Sequence, residues 1–252
     1  MNKLFQPVQV GSLTLKNSIV FAPTSVGREG LDFYEKIAKG GASLIILPDI
    51  SVIPSMLGAP SLGSLQYADY FRKVVEICHR YDCKVSVQLF HPEYDVDYIG
   101  SLYRQRGKIS SDEVHRLLAE NMMGYADTLT TEQADAIVEK FAAAARNARE
   151  VGVDMIQIHG DRLIGSFSSA LFNHRTDRYA PHTAFAEAVV KAVRAAVPEM
   201  PLDYKLTIRT EEPKLGRGGA LISEVPEFVE VLEAAGVDAF HVAIANHSNI
   251  RD

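Results

Sequence analysis

Cysteine is scarce in this 252-residue chain, which holds only Cys78 and Cys83. Two thiols alone build neither a zinc tetrad nor an iron–sulfur cluster. So low a count suits a reducing compartment, where buried thiols act as small apolar residues. Long apolar runs are also missing. No stretch approaches roughly 18 consecutive apolar residues, and the opening MNKLFQPVQV lacks the apolar core of a signal peptide. No membrane span is expected, and the chain is read as cytoplasmic. Positive charge is not in excess, since 26 Lys and Arg stand against 32 Asp and Glu. A broad nucleic-acid surface needs clustered cations and is therefore not expected; a small-molecule substrate is. Three motifs are absent as well: a Gly-rich turn after the first strand candidate, G-x-x-x-x-G-K-[ST], and a G-x-S-x-G elbow around Ser166, Ser168 and Ser169.

What is present is a steady alternation of short β-branched runs and amphipathic helical patterns. Strands are expected at Ser18–Ala22, Ser43–Leu47, Lys84–Phe90, Asp154–His159, Leu202–Ile208 and Asp238–Ala243, the first two closed by prolines. Between them lie helical patterns over Leu31–Ala38, around Phe71 to Cys78, from Thr130, over Thr183–Val197 and after Ser223. Thr130 and Gln133 form a capping-box pair, and Ala134, Ile137, Val138, Phe141, Ala142 and Ala145 share one face. Residues 91–129 interrupt the rhythm. They are polar, with one short helical piece near Asp112–Glu120, and a segment of that length is expected to be a lid or binding loop.

Strand–helix units in series specify a parallel α/β sheet covered by helices. An eight-stranded TIM (β/α)8 barrel and an open doubly wound sheet share that pattern. Ala22-Pro23-Thr24 stands where the doubly wound fold would carry glycines, which favours the barrel, here with about six units in one domain.

Barrel active sites form at the C-terminal ends of the strands. Four residues there carry chemistry. Gln88, inside the apolar run VSVQLF, can donate and accept at once, as the edge of a planar heterocycle requires; the alternative is a glutamine paired with loop backbone. His159 ends MIQIH and can donate to a carbonyl or a developing oxyanion, or serve as a core histidine. Lys205 needs an anionic or electron-rich partner if buried, or else points outward to solvent. His241 is the weakest of the four. His91, Glu93, Asp95 and Asp97 alternate in HPEYDVD without a compact ligand set, so no metal is expected.

Several stretches taken together resemble one family. LFQPVQVGSLTLKNSIVFAPT, VSVQLFH, LTTEQADAIVEKFAAAARNAREVGVDMIQIHG and FNHRTDRY look like the corresponding segments of the old yellow enzyme and dienoyl-CoA reductase type flavoproteins. The resemblance implies an FMN at the barrel mouth, reduced by NADH or NADPH and passing hydride to an activated alkene. It implies that Ala22, Pro23 and Thr24 line the isoalloxazine, and that Gln88 bonds the pyrimidine edge. Lys205 would lie near the flavin N1 and C2 carbonyl, and His159 would grip the substrate carbonyl.

The departures from that family are equally definite. Its histidine is followed by a second His or Asn and then a proton-donating Tyr, whereas HGDRLIGSF puts Arg162 at the partner position and holds no tyrosine. Arg162 can neutralise an enolate or bind a carboxylate. The family's phosphate loops follow strands seven and eight, and only six strands are counted before Asp252. The expectation is therefore a homo-oligomer or a partner chain completing the barrel, or a longer polypeptide of which this is a piece. The lost tyrosine and phosphate loops leave a second reading, a flavin-poor paralogue acting as a binding or assembly subunit.

Overall fold

A computed structural model describes residues 3–25, 30–54, 59–105, 108–209 and 218–244. A short antiparallel hairpin, β1 (Val8–Val10) and β2 (Leu13–Leu15), precedes the main sheet. The sheet then forms from β3 (Val20–Phe21), β4 (Leu44–Ser51), β5 (Lys84–Phe90), β6 (Met155–His159), β7 (Leu202–Arg209) and β9 (Ala239–Ile244), with the two-residue β8 (Ala220–Leu221) against the end of β7. Every pairing in it is parallel. Neighbours follow chain order, β3-β4-β5-β6-β7-β9, with no reversal. A doubly wound sheet reverses its order at a switch point, so the order is that of a barrel.

The helices α1 (Gly30–Lys39), α2 (Ala68–His79), α5 (Thr131–Glu150), α7 (Ala184–Ala196) and α8 (Val225–Ala235) fill the crossovers, and the short α6 (Arg162–Phe167) follows β6. Their apolar faces meet the outward side chains of the strands. Phe71, Phe141, Phe185 and Phe228 join Ile45, Val85, Val87, Ile156, Ile158 and Tyr204 in one continuous core. The inner face of the sheet is apolar only at its base, where Leu15, Leu44, Ile46 and Met155 cluster under Val10 and Leu13 of the hairpin.

Two elements differ from the sequence expectation. β4 runs through Pro48 instead of stopping before it. The register with β5 shifts between Leu47 and Ile50, so Pro48 and Asp49 together oppose one residue. Such a bulge leaves an unpaired ladder position, which is where a proline lacking an N–H is tolerated. Segment 91–129 contains two helices, α3 (Val96–Arg104) and the long α4 (Ser111–Thr128). Asp95 caps α3 by accepting from the Asp97 and Tyr98 amides, and Ser110 caps α4 by accepting from that of Glu113. α4 buries only Val114 and Ala126, too thin a stripe to reveal an 18-residue helix from periodicity.

The capping box is present at α5: the Gln133 amide donates to Thr130 Oγ1 at 3.2 Å, and the Thr130 amide donates to Gln133 Oε1 at 2.7 Å. Thr130→Ala should remove the first bond and cost about 1 kcal/mol. A fall of roughly 2–4 °C in thermal midpoint is expected for a chain of this size, read by circular dichroism.

Candidate active site

The inner face turns polar toward the strand ends, in two layers set by register. Gln88 on β5, Gln157 on β6 and Asp203 on β7 are direct neighbours across three strands. One step nearer the mouth, His159, Lys205 and His241 form a second row across β6, β7 and β9. Gln88, Gln157, Asp203 and His159 are buried, and Lys205 and His241 half-buried. Barrel interiors are ordinarily filled by branched apolar side chains, and buried polar groups must be paired.

The lower layer is linked side chain to side chain, with Asp203 Oδ1 left buried and without a hydrogen-bond partner among the described residues. Gln88 Nε2 donates to Gln157 Oε1 at 2.6 Å, and Gln157 Nε2 donates to Asp203 and, at 3.3 Å, to His241 Nδ1. At the other end, Gln88 Oε1 accepts from the Asp49 amide at 3.4 Å. Gln88 thus holds the bulge that opposes it.

Asp49 adopts φ +48° and Arg162 φ +56°, two of the three non-glycine residues with positive φ among those described. That region costs a side-chain-bearing residue energy and is found at sites whose surroundings enforce it. The two residues meet. Arg162 Nη2 lies 3.7 Å from Asp49 Oδ2, and Nη1 lies 3.4 Å from Glu93 Oε1. Asp49 Oδ1 lies 3.5 Å from His159 Nε2. Arg162 Nε is buried without a hydrogen-bond partner among the described residues. Gly160, between His159 and Arg162, donates its amide to the Lys205 carbonyl at 3.0 Å, and a Cβ there would come within 2.3 Å of that oxygen. Only glycine lets the chain turn out of β6 so close to β7.

Charge follows burial. His159 is held well below its ordinary pKa by burial, reinforced by the positive charges of Lys205 and Arg162. Burial and then Lys205 lower His241 in the same way. Both rings are neutral at pH 7. Since His159 Nδ1 accepts from the Asp161 amide at 3.3 Å, its hydrogen sits on Nε2, facing Asp49. With a neutral ring, the contact to Asp49 is a weak polar one and not an ion pair. Burial raises the Glu93 carboxyl even though Arg162 pulls the other way.

Of the residues picked from the sequence, His159, Arg162, Gln88 and Lys205 converge on this end of the sheet. Ala22-Pro23-Thr24 follows β3, with Ala22 and Thr24 exposed and Pro23 half-buried. The acidic run is dispersed among other roles: Glu93 on Arg162, Asp95 capping α3, and His91 buried with Nδ1 bonded to the Pro92 carbonyl at 2.8 Å. Gln157 and Asp203 are not among the residues picked. Their signal in the sequence is a polar side chain at alternate positions of MIQIH and LDYK, facing the same side as Gln88.

Asp203 carries a consequence for stability. Burial raises its pKa from 3.8 to about 6, against the lowering effect of the Gln157 bond. Below pH 4 the carboxyl is protonated in both folded and unfolded chains and costs nothing. Between pH 4 and 6 the unfolded chain releases the proton first, so stability falls as pH rises, by up to roughly 3 kcal/mol. Urea unfolding of the wild type and Asp203→Asn at pH 4, 5, 6 and 7 should show their stability difference shifting against the wild type up to pH 6 and then levelling. A difference independent of pH would contradict the assignment.

Comparison with known proteins bears on the family and the fold. The chain is 38% identical to a bilirubin reductase of Mediterraneibacter gnavus, over 99% of its own length and 41% of that protein. It is 39% identical to a bilirubin reductase of Clostridium symbiosum, over 99% of this chain and 69% of that one. The chain thus spans between two fifths and seven tenths of the length of these relatives. The crystal structure of Old Yellow Enzyme from Pichia sp. AKU4542 matches with a TM-score of 0.76 at 22% identity, covering 96% of this chain and 70% of that one; this likeness establishes the barrel fold. Residues 3–251 match the NADH:flavin oxidoreductase / NADH oxidase family of FMN oxidoreductases, to which the chain belongs.

Proposed function

We propose that this chain supplies the site of an FMN-dependent NAD(P)H oxidoreductase that reduces an activated alkene in a carboxylate-bearing substrate. The substrate class is the conjugated linear tetrapyrrole that names its bilirubin reductase relatives. The observation that carries this reading is Arg162: strained, held between Asp49 and Glu93, with a buried Nε that has no partner among the described residues, beside neutral His159.

The residues at the mouth fit FMN. Lys205 Nζ, on a half-buried side chain, makes no hydrogen bond or ion pair among the described residues. A fixed cation suits the N1 and C2 carbonyl edge, which gains negative charge on reduction. Gln88 Nε2 keeps one hydrogen after its bond to Gln157, available to a carbonyl acceptor on the same edge. Ala22, Pro23 and Thr24 offer a small, largely apolar surface to a planar ring. When bound, FMN supplies the hydride, taken from NADH or NADPH and delivered to the alkene.

The protein's own groups do the rest. His159 Nε2–H donates to the carbonyl conjugated with the alkene, stabilising the negative charge that grows on its oxygen. Arg162 neutralises the substrate carboxylate, which a planar five-donor guanidinium can grip at two points. Asp49 and Glu93 fix where that guanidinium points. Segment 91–129, which contributes Glu93, acts as the lid. The protein works in the cytoplasm. Among the described residues β3 pairs only with β4 and β9 only with β7, which supports a second copy or a partner chain against these open edges.

The purified protein should show a flavin absorption band near equimolar ratio after incubation with FMN. A protein that stays colourless would instead favour a flavin-free binding subunit. Arg162→Ala should lower kcat/KM on a dicarboxylate tetrapyrrole by about 10- to 100-fold, mostly through KM, while the flavin band persists. Equal kinetics in wild type and variant would remove Arg162 from the substrate grip.

A further inference from the structure

The direction of each amide in the lower layer is dictated from its inner end. Above about pH 6, where it is ionised, Asp203 presents only acceptors; the nearby backbone N–H groups of Tyr204 and His241 favour its charged form, although Oδ1 makes no hydrogen bond among the described residues. Gln157 must therefore turn its NH2 toward Asp203, and that group's second hydrogen goes to His241 Nδ1. Only Oε1 of Gln157 is left for Gln88, so Gln88 must offer Nε2 there. Its carbonyl then necessarily faces the bulge, where it accepts from the Asp49 amide. Two amides run head to tail between a carboxylate in the interior and a backbone N–H at the mouth.

We infer that Asp203 is a positioning residue for the mouth: through Gln157 and Gln88 it fixes the backbone of Asp49, and thereby the carboxylate that meets His159 and Arg162. A donor at position 203 reverses the chain. Asparagine there would keep its carbonyl toward the Tyr204 and His241 amides and turn its NH2 on Gln157. Gln157 then flips, Gln88 flips after it, and the Gln88 NH2 faces the Asp49 N–H, donor against donor. The bulge loses its staple although no residue at the mouth has changed. The consequence for substrate reduction rests on the function proposed above; the relay itself does not.

Moving the acid one strand over restores the order. In the double variant Gln157→Glu/Asp203→Asn, the amide introduced on β7 donates to the carboxylate introduced on β6, and that carboxylate still accepts from Gln88 Nε2. Hydrogen exchange at the Asp49 amide reads the relay directly, on the full chain with and without FMN, and requires no turnover. Asp203→Asn should speed that exchange about five- to tenfold, and the double variant should return it to within about twofold of wild type. FMN affinity, followed by quenching of flavin fluorescence, should fall and recover in parallel. If Asp203→Asn does not fold, Gln157→Leu cuts the same chain at the next link and should speed the same amide. Unchanged exchange in a folded single variant, or a folded double variant that stays fast, would overturn the inference. A chain that shows the exchange pattern but binds no flavin would sink the proposed function and leave the relay standing.

Discussion

Burying two amides and a carboxylate inside a parallel sheet constrains everything around them, because each has to find a partner without help from water. Register provides the partners. Gln88, Gln157 and Asp203 are placed side by side by ladder hydrogen bonds, and the row ends at the bulge in β4. From there the same requirement reaches the strained pair Asp49 and Arg162, and through Arg162 it reaches Glu93. Loss of any one link leaves a buried polar group without a partner. That is a stronger reason for the site's geometry than any single contact in it, most of which are long or partly exposed.

The mouth is correspondingly economical with charge. His159 and His241 are neutralised by burial and by Lys205, so the row holds one cation and not three. A neutral imidazole with its hydrogen on Nε2 donates without competing with Lys205 for an anion. Arg162 stands apart from that row with two carboxylates of its own, Asp49 and Glu93.

The barrel was legible because its signals are local and repeated: apolar runs of five to eight residues, helices with one wide apolar face, and prolines or glycines between them. Thr130 and Gln133 announced α5 by side-chain chemistry alone. The strand-end residues were also legible, since polar groups at the close of apolar runs are conspicuous. The interior chain was not. Gln157 and Asp203 acquire meaning only when register sets them beside Gln88, and register is a long-range property. α3 and α4 were obscured for a different reason, as helices that bury so few side chains leave almost no period to read.

The bulge at Pro48 and Asp49 also changes parity. Leu44 and Ile46 face the interior and Ile45 and Leu47 the helices; after the extra residue, Ile50 faces the helices, so Asp49 falls on the interior side. One added residue decides whether this strand ends in a carboxylate aimed at the mouth or buried under α1 and α2. A relative whose second strand lacks that residue does not share this position, however closely the neighbouring letters align. Its site would have to be sought in a different frame.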